Sequence, residues 1–204
     1  MKKEDQQILV VEKKILFQKK YFEGFVDTSF NDYYTTILNN YKYKKRGEAE
    51  IDENYKQPIP YIMLQDENND VFVYQRAQKK KDYTEKRLYG KWSVGLGGHI
   101  DKEDSTGNDP VLRSALREIN EEVSVNRISH IKKIGYINDD SNEVGRVHFG
   151  VVFLAKTEGD IAPKGSEIQD YKIIPTKQLN TSDLVYENWS KIIVSFLAKN
   201  QPSL

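Results

Sequence analysis

Apolar residues recur at helical spacing in three stretches of the chain and predict three helices there. The first runs from Thr28 to Tyr41, the second begins at Pro110, and the third closes the chain from Asp183 to Lys199 with Ser182 as its N-cap. In the second helix, Asp109 suits the N-cap and proline suits the first helical position. The apolar stripe that turns this helix toward a core consists of Leu112, Ala115, Leu116, Ile119 and Val123.

Short apolar runs between the helices predict strands, and charged stretches without periodicity predict loops. Val147 to Lys156 is almost continuously apolar, as expected of a central strand buried on both faces. Lys42 to Gln57 and Gln78 to Arg87 are interpreted as loops, and Lys79 to Lys81 as a solvated group rather than a phosphate site. The other predicted strands are one or two within Ile8 to Phe17, then Tyr61 to Gln65, Val71 to Gln75, Ile131 to Ile137 and Tyr171 to Ile174.

This order of elements is accounted for by a mixed β-sheet between helices, which places the chain in the α/β class. Its 204 residues suffice for one good-sized domain, or for one domain with an appendage. The 31 basic and 31 acidic residues balance, which argues against a dedicated nucleic-acid binder. No cysteine is present, so disulfides, thiolate zinc sites and thiol nucleophiles are excluded.

The apolar runs are all far shorter than the roughly 18 residues that cross a bilayer. Met1 to Gln7 is too polar for a secretory leader. We therefore expect a soluble intracellular protein in the cytoplasm, without a membrane partner.

The candidate chemistry is concentrated on the second predicted helix, where three carboxylates follow Arg117. Glu118, Glu121 and Glu122 share one side of a helix, and like charges placed that way repel. A cation among them would relieve the repulsion, and hard carboxylate oxygens suit Mg²⁺ or Mn²⁺. The planar fork of Arg117 is placed to neutralise or orient a carboxylate. The alternative interpretation is a charged helix face that is only solvated.

These residues, with the strand and glycine turn of Trp92 to Ile100 before them, resemble the box of the Nudix family. That box reads G-x5-E-x7-R-E-U-x-E-E-x-G-U, where U is a bulky aliphatic residue. The matching positions are Gly98, Arg117, Glu118, Ile119, Glu121, Glu122 and Val125. The resemblance implies a Nudix-type α/β/α sandwich around a mixed β-sheet. It also implies an N-terminal α+β extension, residues 1–57, packed on a hydrolase domain of residues 58–204.

The chain departs from the box at two places. The distance from Gly98 to Arg117 is five residues longer than in the box, so Lys102 to Asn108 are expected to form an enlarged loop. The first acidic position of the box is then either Asp104, counted from the glycine, or Asp109, counted back from the arginine. Ser124 stands where the box has its last glycine.

The resemblance implies metal-dependent hydrolysis of a diphosphate linkage in a nucleoside diphosphate joined to another group X. Mg²⁺ or Mn²⁺ would be the cofactor. The expected metal ligands are Glu118, Glu121, Glu122 and the main chain of Gly98. The expected substrate-binding residues are Gly97, Gly98, His99 and Arg76. The expected catalytic residues are Arg117, Glu118, Glu121, Glu122 and Glu167.

The general base stays open between a box glutamate and a carboxylate from a distant loop. Glu167 precedes a late predicted strand and is our candidate, with an exposed loop charge as the alternative. Glu143 is a poorer candidate. His148 lies inside an apolar strand, where we expect a packed, hydrogen-bonded side chain.

A different class of function stays open as well. A Nudix fold that binds a nucleotide and regulates without cleaving it is the alternative to a hydrolase. The expected partner in either case is a small nucleotide-type diphosphate, not a nucleic acid. Residues 1–57 are expected to add packing, with a lid over the active-site mouth or a homodimer contact as alternatives.

Overall fold

The computed structural model describes residues 2–77 and 90–200. The predicted loop from Gln78 to Arg87, with its three lysines, lies outside the described residues. Contacts within the chain divide it into two compact units that alternate along the sequence. The first unit comprises Met1–Tyr61, Gly97–Arg117 and Lys133–Phe153, and the second comprises Ile62–Leu96, Glu118–Lys132 and Leu154–Leu204.

The helices of the described residues are mostly short. They are α1 (Lys13–Leu16), α2 (Tyr33–Asn40), α3 (Arg46–Ala49), α4 (Pro110–Glu122), α5 (Glu143–Val147) and α6 (Asn188–Asn200). Short 3₁₀ helices cover Lys3–Asp5, Lys102–Ser105 and Thr176–Thr181. None of these helices is long and apolar enough to cross a membrane.

The strands supply the sheet that the sequence predicts. They are β1 (Gln7–Glu12), β2 (Gly24–Asp27), β3 (Lys42–Lys45), β4 (Tyr55–Gln65), β5 (Asp70–Arg76), β6 (Trp92–Ser93), β7 (Leu96–Gly97), β8 (Val123–Ser124), β9 (Arg127–Asn138), β10 (His148–Glu158), β11 (Ala162–Pro163) and β12 (Ile168–Pro175). The α/β class is confirmed.

In the first unit, neighbouring strands follow the order β4-β10-β9-β2. Strand β1 pairs antiparallel with β3, where Ile8 faces Lys44, and with the start of β4, where Val11 faces Lys56. An aromatic cluster with edge-to-face and tilted ring pairs packs in the core of this unit and includes Phe17, Phe22, Tyr33, Tyr136 and Phe149. Strand β1 is therefore built into this unit.

In the second unit, the strand order is β12-β5-β4-β10-β9. Strands β5 and β12 pair antiparallel along nearly their whole length, from Ile168 opposite Arg76 to Pro175 opposite Asp70. A separate short pair joins β8 to β11. Because β8 directly follows α4, this pair fixes the end of the helix that carries the candidate glutamates.

Several predicted elements are confirmed, and β10 is one of them. Its first eight residues are buried, as expected of a central strand. Helix α4 begins at Pro110 as predicted, but Leu116 is not part of its buried stripe, since 41% of this side chain is exposed. Helix α2 begins at Tyr33, later than predicted, because Asp32 caps it by accepting a hydrogen bond from the Thr35 amide.

The prediction of a loop over Lys42 to Gln57 is wrong. This stretch forms β3, α3 and the start of β4. Lys56 and Gln57 are fully buried, although both belong to the charged stretch that was predicted as a loop. The Lys56 ammonium donates to the main-chain oxygens of Gly145 and His148, which compensates the cost of its burial.

The predicted start of the closing helix is also wrong. Helix α6 begins at Asn188, and Ser182 donates to the Leu179 oxygen instead of capping it. The residues between Ser182 and Asn188 run beside β6, where the Trp92 amide donates to the Val185 oxygen and the Glu187 amide donates to the Trp92 oxygen. Because this segment pairs with β6, helix α6 begins later in the sequence than predicted.

Candidate active site

The three glutamates of helix α4 all line one cavity, and they differ in how far they are exposed to solvent. Asp109 starts the helix by accepting a hydrogen bond from the Leu112 amide at 2.9 Å. Nine residues on, Glu118 is buried, with 7% of its surface exposed, whereas Glu121 is exposed. Glu122 lies one helical turn beyond Glu118, and the charge of Glu118 helps to raise the pKa of Glu122.

The loop between β11 and β12 brings Glu167 to these glutamates. At its start the Lys164 amide donates to the Glu122 oxygen at 2.8 Å. At its end the Ala77 amide donates to the Glu167 oxygen at 2.9 Å. The loop is therefore fixed to the end of α4 on one side and to the end of β5 on the other.

A cavity of about 300 Å³ lies between this loop and the helix. Its lining consists of Glu118, Glu121, Glu122, Gly165, Ser166, Glu167 and Ile168. Four of the predicted catalytic residues thus meet around one cavity, although Glu167 is more than forty positions from the box in the sequence.

The crowding of carboxyl groups changes the protonation of Glu122. Burial and the neighbouring charges of Glu118 and Glu167 together raise the pKa of Glu122 to about 8, while Arg76 opposes the shift. At neutral pH the carboxyl therefore retains a proton for much of the time. A divalent cation would supply the positive charge that this proton supplies in the free protein.

The donor set fits Mg²⁺ or Mn²⁺ bound in an open site. Within residues 2–77 and 90–200, no group of three or more histidine or carboxylate side chains is arranged to enclose a metal ion. Mg²⁺ does not need such a cage, since it keeps several waters and is commonly held by one or two carboxylates together with substrate phosphates. Glu118 and Glu122 offer two such carboxylates beside a cavity with room for a phosphate.

Arg76, a predicted substrate-binding residue, lies at the end of β5 in the same unit. Its Nε donates to Glu187 Oε2 at 3.1 Å, and its guanidinium carbon lies 5.3 Å from the centre of the Tyr74 ring. Ser93 Oγ donates to the other oxygen of Glu187 at 2.7 Å. Sequence reasoning missed Glu187 because it falls inside the stretch predicted as an amphipathic helix.

The glycine turn and Arg117 belong to the first unit. A side chain at Gly97 would place its Cβ 2.5 Å from the Pro60 oxygen, so glycine is required at this position by close backbone approach. Arg117 donates to the His99 oxygen at 2.9 Å and therefore fixes the turn that contains Gly98 and His99.

Asp104, one of the two alternatives for the first acidic position, is the acidic partner of Arg117. The guanidinium donates to both Asp104 oxygens, at 3.1 and 3.0 Å, and Asp104 is buried. Asp109 instead caps α4 and accepts from the Tyr34 hydroxyl at 2.7 Å. The enlarged loop thus keeps an ion pair with the arginine through a 3₁₀ turn, Lys102–Ser105.

The two histidines of the first unit lie in one buried hydrogen-bond network. His148 Nδ1 is 2.7 Å from the Val144 oxygen, which confirms the expected packed role, and burial lowers the pKa of His148 to about 4. His99 Nε2 is 2.8 Å from Gln57 Oε1, and burial holds its pKa well below the usual 6.5. A substrate contact of His99 stays a prediction. Glu143 is exposed in the first turn of α5.

Comparisons with known proteins agree with this geometry. A family model described as the NUDIX domain matches residues 56–194. Protein YmaB of Bacillus subtilis (strain 168) is 33% identical over 209 aligned positions, which cover 97% of this chain and 100% of YmaB.

Solved structures agree as well. Tm1382, assigned to the Nudix hydrolases, superposes with a TM-score of 0.80 at 30% identity, over 95% of this chain and 99% of Tm1382. The NUDIX domain of Shewanella oneidensis NrtR has a TM-score of 0.51 at 16% identity, over 69% of this chain and 86% of that domain, a likeness of fold alone. The chain therefore belongs to the Nudix hydrolases, pyrophosphohydrolases that act on acid anhydrides of phosphorus.

Proposed function

We propose that this chain hydrolyses the diphosphate linkage of a nucleoside diphosphate joined to a second group, and that it needs Mg²⁺ or Mn²⁺ to do so. The observation that carries the proposal is the cavity where Glu118, Glu121 and Glu122 meet Glu167. A cavity so acidic repels an anionic diphosphate unless cations intervene. Its ordinary ligand is therefore a divalent cation together with the substrate.

Each residue has a distinct role in this proposal. Glu118 and Glu122 hold the cation, with Glu121 as the more exposed third ligand. A bound Mg²⁺ or Mn²⁺ offsets the negative charge of the diphosphate and makes water a better nucleophile. The main chain of Gly98 stays a predicted further ligand.

Glu167 is our candidate general base. It accepts a proton from the water as that water forms a new bond to one phosphorus atom. The bond from this phosphorus to the bridging oxygen breaks, and its electron pair leaves with the second phosphate. The hydrogen bond from the Ala77 amide to the Glu167 main chain supports this role, because it fixes the base relative to the cavity.

The first test is release of phosphate or nucleoside monophosphate from a substrate panel, with and without Mg²⁺ or Mn²⁺. The panel contains nucleoside di- and triphosphates, dinucleoside polyphosphates, nucleotide sugars and ADP-ribose. ADP-ribose is included because the NUDIX domain of NrtR was crystallised with it. Metal-dependent cleavage of any member is the expected result.

The variants Glu122→Gln and Glu121→Gln should each lower kcat about a hundredfold or more, since charge stabilisation by a metal is worth several kcal/mol. Glu158→Gln is the matched control, because Glu158 pairs with Arg127 on the surface at 3.5 Å. Near-normal turnover in both box variants would contradict the metal site. Binding of ADP-ribose without cleavage of any panel member would favour the regulatory alternative.

A further inference from the structure

Lys164 lies where the loop of the candidate active site meets the end of helix α4. It directly follows β11, and the residues after it, 165–168, line the cavity together with the glutamates of α4. The pairing of β11 with β8, in which Pro163 lies opposite Val123, brings Lys164 to the end of the helix. Lys164 therefore adjoins both the helix that carries the glutamates and the loop that carries Glu167.

The last turn of α4 offers Lys164 backbone acceptors. The carbonyl groups of the last turn of an α-helix have no amide partner within the helix, so groups outside the helix satisfy them. The Lys164 amide donates to the Glu122 oxygen at 2.8 Å, and the Lys164 ammonium donates to the Asn120 oxygen at 2.8 Å. The ammonium also lies 3.3 Å from Asn120 Oδ1. The main chain and the side chain of Lys164 thus both bind the end of this helix.

The charge of Lys164 suits this position, because the C-terminal end of a helix carries a partial negative charge. Lys164 is exposed, so water weakens the attraction and its contribution to stability is small. The contacts determine instead where the loop begins, three residues before Glu167. The loop is fixed at its other end by the hydrogen bond from the Ala77 amide to the Glu167 oxygen.

We propose that Lys164 is a positioning residue for catalysis: it fixes the loop of residues 164–167 to the end of α4 and so sets the position of Glu167 relative to the glutamates that hold the cation. This inference rests on the proposed function. A general base and its water react only when they are correctly placed, and a displacement of about 1 Å can cost about a hundredfold in rate. A loosened loop therefore slows the chemical step, while the glutamates stay in place on the helix.

The first test compares two variants of Lys164. Lys164→Met removes the ammonium and keeps a long side chain, whereas Lys164→Arg keeps the charge and the donors. On a substrate that the wild type cleaves, Lys164→Met should lower kcat about tenfold and leave KM within about twofold, and Lys164→Arg should retain most of kcat. The matched control is Lys177→Met, since Lys177 is exposed in the 3₁₀ helix Thr176–Thr181. A purely structural role would lower Tm and leave kcat unchanged.

A double variant shows whether Lys164 acts through Glu167. Glu167→Gln removes the candidate base, so the residual activity of this variant no longer depends on where the base lies. Adding Lys164→Met to Glu167→Gln should therefore lower kcat by less than about twofold. Effects that multiply in the double variant would overturn the positioning role.

A measurement with Mn²⁺ makes the test independent of turnover. Mn²⁺ is paramagnetic, and when bound by the glutamates it broadens the NMR signals of nearby amide groups, an effect that falls steeply with distance. The broadening at the Ser166 and Glu167 amides should change in Lys164→Met and remain that of the wild type in Lys177→Met. The Mn²⁺ affinity of Lys164→Met should stay within about twofold of the wild type, because the glutamates lie on α4.

The outcomes separate this inference from the proposed function. An active wild type whose kcat is unchanged by Lys164→Met would overturn the positioning role alone. An inactive wild type in which Lys164 still determines the broadening by Mn²⁺ would overturn the hydrolase and leave Lys164 as the residue that places the loop beside the cation. An inactive wild type would overturn both if it binds no Mn²⁺ or if Lys164→Met leaves the broadening unchanged.

Discussion

At the residue scale, the chain places carboxylates in two opposite electrostatic environments. Burial among other acids raises the pKa of Glu122, as described above. Burial also acts to raise the pKa of Asp140, but two lysines, Lys13 and Lys56, overcome it and hold that pKa below its usual 3.8. Asp140 is thus already neutralised by protein cations and contributes stability. In the proposed function, the cation bound by Glu122 would supply the positive charge that Asp140 receives from its lysines.

The Lys56–Asp140 pair gives a prediction about stability and pH. Lys56 is fully buried, so burial lowers its pKa despite Asp140, whereas the partly exposed Asp140 has two cations and stays ionised. Asp140→Asn leaves the buried ammonium of Lys56 without an opposite charge and should cost about 3 kcal/mol at pH 7, the low end for broken buried pairs.

The pH dependence follows from the lowered pKa of Asp140. Its stabilisation is complete above the unfolded pKa of about 3.9 and is lost as the pH falls through the lower folded value. Urea unfolding should show a constant gap between wild type and Asp140→Asn from pH 5 to 8 that narrows below about pH 4. Glu53→Gln, which breaks an exposed pair with Arg146, is the control and should cost less than about 1 kcal/mol. Equal stability of wild type and Asp140→Asn at pH 7 would contradict the argument.

At the element scale, the two ends of α4 are fixed by different means. Its start depends on side chains, because Asp109 caps the Leu112 amide and accepts from the Tyr34 hydroxyl of α2. Its end depends on the backbone pairing of β8 with β11 and on the Lys164 amide. The position of α4, and with it the position of Glu118 and Glu122, therefore depends on contacts with residues outside the helix.

Tyr34→Phe tests the side-chain anchor at the start of α4. The variant removes a hydroxyl that lies 2.8 and 2.7 Å from the two Asp109 oxygens. We expect a loss of about 1.5 kcal/mol, the value of a hydrogen bond to a charged group, and faster amide hydrogen exchange at Leu112. Asp109→Asn in the Tyr34→Phe background should cost less than it does in the wild type. Full additivity of the two changes would show that the contact does not stabilise the helix start.

Sequence patterns predicted the elements whose apolar residues form a clear pattern. They missed the elements whose burial depends on contacts with residues that are distant in the sequence. Helix α4 and strand β10 were predictable because the apolar residues of α4 mark one buried face and the continuous apolar run of β10 marks a strand buried on both faces. The strand that contains Lys56 was not, because its burial depends on carbonyl groups of residues 145 and 148. The meeting of Glu167 with the box glutamates could be proposed only from its place before a strand. No sequence pattern indicated that Glu187 lies beside Arg76. Glu187 was predicted to be helical, but its backbone pairs with β6 and α6 begins only after it.

At the scale of the whole molecule, the remaining question is whether residues 1–57 form an extension that the hydrolase domain can lose. The family model begins only at residue 56. Within the first unit, however, the Leu9 amide donates to the Ile100 oxygen at 2.8 Å, directly beside the glycine turn. Gln6 donates to Asp101 at 2.7 Å. Residues before the matched region thus contact the loop that precedes α4.

We therefore expect a fragment of residues 58–204 to lack a cooperative fold. The full chain buries Ile8, Leu9, Val10 and Val11 almost completely. Each buried aliphatic side chain contributes about 1.5–3 kcal/mol, so their removal alone costs about 6 kcal/mol or more. Total stabilities of domains are about 5–15 kcal/mol, and the fragment also loses the backbone pairs of β1 with β3 and β4.

Circular dichroism during urea unfolding tests whether the fragment of residues 58–204 folds cooperatively. The full chain should unfold in a sharp transition, and the fragment should show a broad one or none. A full-length variant, Leu9→Ala, is the intermediate control: it keeps the backbone pairs and should cost about 2–5 kcal/mol. A fragment that unfolds sharply and is stabilised by Mg²⁺ would show that residues 1–57 are dispensable for the fold. Their role would then have to be sought at the active-site mouth or in a contact with a second copy of the chain.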